Sequence, residues 1–185
     1  MITRQSLSDR WTRRVLKRSA LNLRGGEDII RTVLQEGNFK HMLEIGTYRG
    51  WTAVFASQYV GKVSTIDLKY GRLEYCIDAG TEVKEPTRTQ LLQEYDIQNV
   101  DIYLMDDNSE KQAIISSLDF DFAFIDGAHD ESVKDDFEMV KHCGNVLFHD
   151  YDDSGVAHKN KVYDFINTLP KEQLTVMDIF AYWRA

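Results

Sequence analysis

The chain is poor in proline and cysteine and has no long apolar run, and each shortage removes a class of protein. With only Pro86 and Pro170 there is no proline-rich linker, and no low-complexity tract marks a domain boundary. Cys76 and Cys143 lack both the CxxC spacing of a zinc site and the density of a secreted disulfide scaffold, so both read as reduced, structural thiols. No apolar stretch approaches the ~20 residues that a bilayer-spanning helix needs, and the start has no hydrophobic signal core. A soluble, cytoplasmic protein with no membrane partner is expected. At 185 residues and 43% hydrophobic content, the chain can bury one substantial core.

Net positive charge is confined to one segment. Residues 1–26 hold Arg4, Arg10, Arg13, Arg14, Lys17, Arg18 and Arg24 against Asp9 alone, a charge of +6 that leaves −14 for the rest of a chain whose net charge is −8. We read 1–26 as a basic N-terminal arm or helix and 27–185 as a single domain. An acidic body repels a phosphate backbone, which argues against nucleic acid as a partner unless the arm alone supplies the binding. An Arg-rich, acid-poor start also has the composition of a transit peptide.

Beyond Gly25-Gly26, EDIIRTVLQEG predicts a lid helix ahead of a sheet, with Ile29, Ile30, Val33 and Leu34 on one face and a stop at Gly37. Strand and helix then alternate. HMLEIG, KVSTIDL, NVDIYLM, DFAFID and NVLFHD read as strands, with helices at WTAVFASQYV, SEKQAIISSL, ESVKDDFEMVKH and AHKNKVYDFINTL, and one or two more between Lys69 and Ile97. The apolar strand runs suit burial on both faces, so the expected fold is α/β, a doubly wound, mostly parallel Rossmann-like sheet. After Pro170 there is room for one good strand or two very short ones, which predicts a short or incomplete C-terminal edge. Phe180, Tyr182 and Trp183 on that edge would fill the core or meet a second copy in a homodimer.

MLEIGTYRGWTAVFAS, at 42–57, carries the first sign of function. Ligands of such sheets bind beyond the carboxyl ends of the strands, where Gly46 stands; glycine there permits a tight turn and the close approach of a ligand, while Thr47 and Thr52 offer hydroxyls. The spacing from Gly46 to Gly50 is not the G-x-G-x-x-G of dinucleotide sites. About twenty residues on, at the tip of the next strand, Asp67 is placed to accept both hydroxyls of a ribose. The two features together point to a nucleoside ligand.

LEIGTYRGWTAVFAS resembles the first motif of class I S-adenosylmethionine-dependent methyltransferases, above all the catechol O-methyltransferase-like branch. FIDGAHDESVKDDFEMV and GNVLFHDYDDSGV are similar to the small macrocin-type sugar O-methyltransferases, so the likeness spans roughly 40–170. It implies S-adenosylmethionine as cofactor, with Glu44 and Gly46 near its amino group and Tyr48, Gly50 and Thr52, beside Thr47, around its methionine part. Asp67, with Leu68 beside it, would hold the ribose; Asp106 would meet the adenine amino group and Asp107 would offer its N–H to the ring. Asp106 and Asp107 equally suit capping the helix that begins near Ser109. Asp126 would border the cofactor at the tip of the fourth strand.

Methyl transfer to a hydroxyl needs an aligned nucleophile and a proton acceptor. The catalytic candidates are His129 as base, in the loop after Asp126, with Asp126 and Asp150 on adjacent strand tips; His149, Asp130, Asp152 and Asp153 share that rim. Converging carboxylates suit a hard cation, and the resemblance implies a divalent ion, magnesium, on Asp126 and Asp150. The chain departs from the catechol-type pattern at Tyr151, where those enzymes carry a third ligand, Asn. Phe137, Met139 and Val140 read as core.

The leading expectation is methylation of a small-molecule hydroxyl on a sugar, polyol or phenol. Two alternatives stay open: a nucleic-acid or protein methyltransferase steered by the arm, though an NPPY-type amino-methylation motif is absent, and a non-catalytic nucleoside-binding member of the fold.

Overall fold

The computed structural model describes residues 25–68, 88–128, 130–152 and 161–185. The arm up to residue 24, Cys76, His129, Asp153 and His158 lie outside the described residues. Helix α1 (Gly26–Gly37) begins with Glu27 and Asp28 in its first turn, where acids complement the helix dipole, and ends at Asn38 in left-handed conformation. It is no lid: Ile30, Val33 and Leu34 are buried in the core on one face of the sheet.

Strand β1 (His41–Ile45) leads into α2 (Trp51–Ala56), whose six residues are all buried, and on to β2 (Lys62–Leu68). Next come α3 (Arg88–Glu94), β3 (Val100–Met105), α4 (Lys111–Ser116), β4 (Phe122–Ile125), α5 (Ser132–Val140), β5 (Asn145–Phe148) and α6 (Lys161–Ile166). Strands β6 (Leu174–Met177) and β7 (Phe180–Arg184) follow. The seven-stranded sheet runs β3-β2-β1-β4-β5-β7-β6. Its first five strands are parallel, and β7 is antiparallel to both β5 and β6. Strand order reverses between β1 and β4, the position at which sheets of this kind open a ligand crevice.

Strand residues divide strictly between two cores, because successive side chains point to opposite faces. Met42, Phe122, Phe124, Leu147 and Phe180 pack with α1 and α2, while Leu43, Ala123, Ile125, Val146 and Phe148 pack with α5 and α6. Phe137 and Val140 are buried and Met139 packs against them, as the helical periodicity predicts.

The C-terminal edge is short and complete. LTVMDIFAYW forms two strands rather than one, paired Met177 to Phe180 across a two-residue turn in which Asp178 takes a left-handed φ of 56°. Phe180 and Trp183 are buried in opposite cores, Trp183 standing edge-on to Phe137 at 5.0 Å between ring centroids. Tyr182 is half-buried and donates to Asn145 Oδ1 at 2.9 Å, so the protein's own fold takes up all three rings. Among the described residues no helix is long and apolar enough to cross a membrane.

Candidate active site

The tight approach at Gly46 comes from the protein's own backbone. A Cβ built on Gly46 would lie 2.2 Å from the Asp126 carbonyl oxygen, and its φ of 101° is one that side chains resist. Gly50 differs: the nearest atom to a Cβ there is 3.8 Å away, and glycine is favoured only by the left-handed φ of 81° at the start of α2. Between them Tyr48 is also left-handed, at φ 44°. Its N–H donates to Asp67 Oδ2 at 2.8 Å, and Leu68 N–H donates to Asp67 Oδ1 at 2.8 Å, so the acid at the tip of β2 clasps the glycine loop.

Under the loop a buried polar chain runs between β1 and β2. Thr47 Oγ1 lies 2.6 Å from Thr65 Oγ1, which donates to the Glu44 carboxylate. Thr52 is buried as well, on α2. Arg49, which sequence reasoning passed over, is buried in the same turn with its guanidinium 5.1 Å from the centre of the Tyr48 ring. Past β3, Asp107 Oδ1 accepts the Ser109 N–H at 2.7 Å and the Ser109 hydroxyl, which holds its carboxyl below the ordinary range. The capping role is therefore filled by Asp107, while Asp106 is exposed and its N–H donates to Glu110 at 3.2 Å.

A row of backbone hydrogen bonds aligns the strand tips: Gly46 N–H to Ile66 O at 2.9 Å, Asp126 N–H to Ile45 O at 2.9 Å, and His149 N–H to Ile125 O at 3.1 Å. That row brings Asp126 and His149 side by side. His149 Nδ1 is 2.9 Å from Asp126 Oδ1 and 3.0 Å from Asp150 Oδ2, with Asp150 in left-handed conformation at φ 63°. The imidazole is 4% exposed and the two carboxylates 20% and 22%. Burial disfavours the charged ring, but the charges and hydrogen bonds of Asp126 and Asp150 outweigh it and push its pKa up to about 10. The rim therefore draws a positive charge.

Donor atoms of Asp126, His149 and Asp150 all lie within 4.8 Å of one another, which fits one divalent ion. Tyr151 adds nothing to that set: its hydroxyl donates to Asn167 Oδ1 at 3.2 Å and its ring lies on Tyr163. The histidine that the described residues bring to the acids is His149. Sequence reasoning also missed the pair beneath the turn after β4, where Lys111 Nζ meets Asp136 Oδ1 at 2.7 Å with side chains 10% and 2% exposed. Burial raises the Asp136 carboxyl, against the pull of Lys111. Asp136 falls among the buried positions Val133, Phe137 and Val140 of α5, the one signal that could have revealed it.

A family model described as a methyltransferase domain matches residues 43–151, from β1 through the acid rim and over more than half of the chain. The chain belongs to this methyltransferase-domain family. The fold of this methyltransferase is shared with solved structures. One, from Staphylococcus aureus and assigned as a caffeoyl-CoA O-methyltransferase, is 19% identical over 98% of this chain and 97% of its own, with a TM-score of 0.63. An O-methyltransferase from Bacillus cereus, solved with SAH, is 15% identical over 86% and 80% of the two chains, with a TM-score of 0.59. TomG from Streptomyces achromogenes, an O-methyltransferase of tomaymycin synthesis solved with SAM, is 15% identical over 86% and 79%, with a TM-score of 0.55. No curated protein matches the sequence.

Proposed function

We propose that this methyltransferase transfers the methyl group of S-adenosylmethionine to a hydroxyl oxygen of a small molecule, assisted by a divalent ion at the rim. The observation that carries the reading is Asp67, which clasps the glycine loop from the tip of β2, on the same edge of the sheet as Asp126, His149 and Asp150. The solved relatives with SAH and SAM support the cofactor, and their O-methyltransferase activity supports oxygen as the atom methylated. The acidic body supports a small acceptor over a nucleic acid.

In this reading the Asp67 carboxylate, which also accepts the Tyr48 and Leu68 N–H groups, accepts the ribose hydroxyls. The Glu44–Thr65–Thr47 chain keeps the loop under the methionine part in one conformation. Asp126 and Asp150 orient the acceptor oxygen in line with the sulfonium methyl, the alignment that a bimolecular displacement most needs. Asp126 and Asp150 would hold a divalent ion there, which would supply the positive charge that lowers the pKa of an acceptor hydroxyl; the hydroxyl proton would pass to water at the open side of the rim.

Isothermal titration of S-adenosylmethionine and S-adenosylhomocysteine, with Asp67→Ala as control, tests the proposal. Micromolar binding that disappears in the variant supports it; a folded protein that binds neither compound refutes it.

A further inference from the structure

The rim differs from an all-oxygen magnesium site in one respect, which bears on which ion it takes. We infer that Asp126, His149 and Asp150 form a mixed oxygen–nitrogen site in which His149 Nδ1 is a direct ligand, and that it selects manganese(II) and its heavier first-row neighbours over magnesium. The inference rests on the methyltransferase reading and assigns the ion class of the same site.

Several observations carry it. The Nδ1 hydrogen bonds of 2.9 Å and 3.0 Å to the two carboxylates also set the three donor atoms at about the ~3.0 Å spacing of adjacent ligands of an octahedral ion with bonds of ~2.1 Å, so an ion can take the place of the Nδ1 proton. The buried ring supplies its nitrogen from beneath, while the carboxylates are partly open, leaving the solvent side for water and acceptor oxygens. Nδ1 is the ring nitrogen that faces both carboxylates, at 2.9 Å and 3.0 Å, so it is the one placed to reach an ion. The backbone bond to Ile125 and the Phe180 ring, 4.9 Å from the imidazole, hold it in place. No further oxygen comes from Tyr151, whose hydroxyl is engaged by Asn167. Magnesium favours oxygen donors throughout, whereas an imidazole nitrogen is a good ligand for transition ions, and affinity for such a set rises from manganese toward copper.

The experiment uses the full chain, stripped with chelator and titrated calorimetrically with manganese, cobalt and magnesium chlorides, with S-adenosylhomocysteine titrated into the same samples. Manganese and cobalt should bind at least tenfold more tightly than magnesium. His149→Gln should lower manganese affinity at least tenfold while leaving magnesium within about threefold, so that the preference collapses. Electron spin-echo spectroscopy of the wild-type manganese complex should show one directly bound imidazole nitrogen, a result that does not depend on the variant folding. Equal affinity for magnesium and manganese, no nitrogen coupling, or no ion bound by folded protein would overturn the inference. Failure of the methyltransferase reading shows separately, as absent S-adenosylhomocysteine binding whatever the ion.

Discussion

Tyr48 and Asp67 are joined by a 2.8 Å hydrogen bond from the backbone N–H of the first to Oδ2 of the second, across the gap between the glycine loop and the tip of β2. One carboxylate thus shapes the loop and faces the proposed nucleoside site. Hydrogen bonds to a charged acceptor contribute about 1.5–3 kcal/mol, so Asp67→Asn should weaken S-adenosylhomocysteine binding more than tenfold and lower the melting temperature as well. Calorimetry and thermal melts read the two effects separately; full affinity in the variant would remove Asp67 from the site.

Gly46 and Gly50 should respond unequally to alanine. At Gly46 the new Cβ meets the backbone carbonyl of Asp126 at 2.2 Å, and the expected loss exceeds about 2 kcal/mol. At Gly50 the space is open and only the left-handed conformation is penalised, by about 1–2 kcal/mol. Urea unfolding of the two variants gives the order directly.

The buried pair Lys111–Asp136 predicts a non-additive cycle. Lys111→Met leaves a buried carboxylate without its cation, at a cost of about 3–5 kcal/mol, whereas Lys111→Met combined with Asp136→Leu should recover most of that loss. Equal stability of the single and double variants would mean that the pair is not coupled in solution.

Asp130 gives a pH dependence of defined sign. Its Oδ1 accepts the Ser132 N–H at 2.9 Å, and the Ser132 side chain and backbone hold its carboxyl below the ordinary value. A depressed folded-state pKa contributes stability above the unfolded carboxylate range and loses it as pH falls through the depressed value. Asp130→Asn should therefore be less stable than wild type at pH 7, and the gap should narrow in acid. Denaturation curves at pH 7 and pH 3 check this; a gap that widens in acid reverses the sign.

The legible parts of the fold were those set by local pattern. Strand β2 can be read to the residue in KVSTIDL, because its β-branched Val63, Thr65 and Ile66 mark a strand locally and need no distant partner to be recognised. The turn at Asp178-Ile179 was hidden because it lacks the glycine or asparagine that marks most two-residue hairpins. Gly46 announces a constraint but not its source, since Asp126 lies eighty residues away in sequence and beside it only once β1 and β4 pair. Asp136 looks like one more acid on a charged helix until α4 brings Lys111 against it. His149 and Asp150 read as neighbours on one rim, but their shared contact at Nδ1 depends on the left-handed backbone of Asp150, which no spacing reveals.

The amides of Gly46, Asp126 and His149 stand just beyond the strands, yet each is bonded to a carbonyl of the neighbouring strand. In hydrogen exchange these positions should behave as sheet interior, opening only with the sheet itself. The donor side of the chemistry is therefore a fixed jig. An altered acceptor preference can be sought in the surrounding segments alone, with the row from β2 to β5 left untouched as the reference against which any new pocket is aligned.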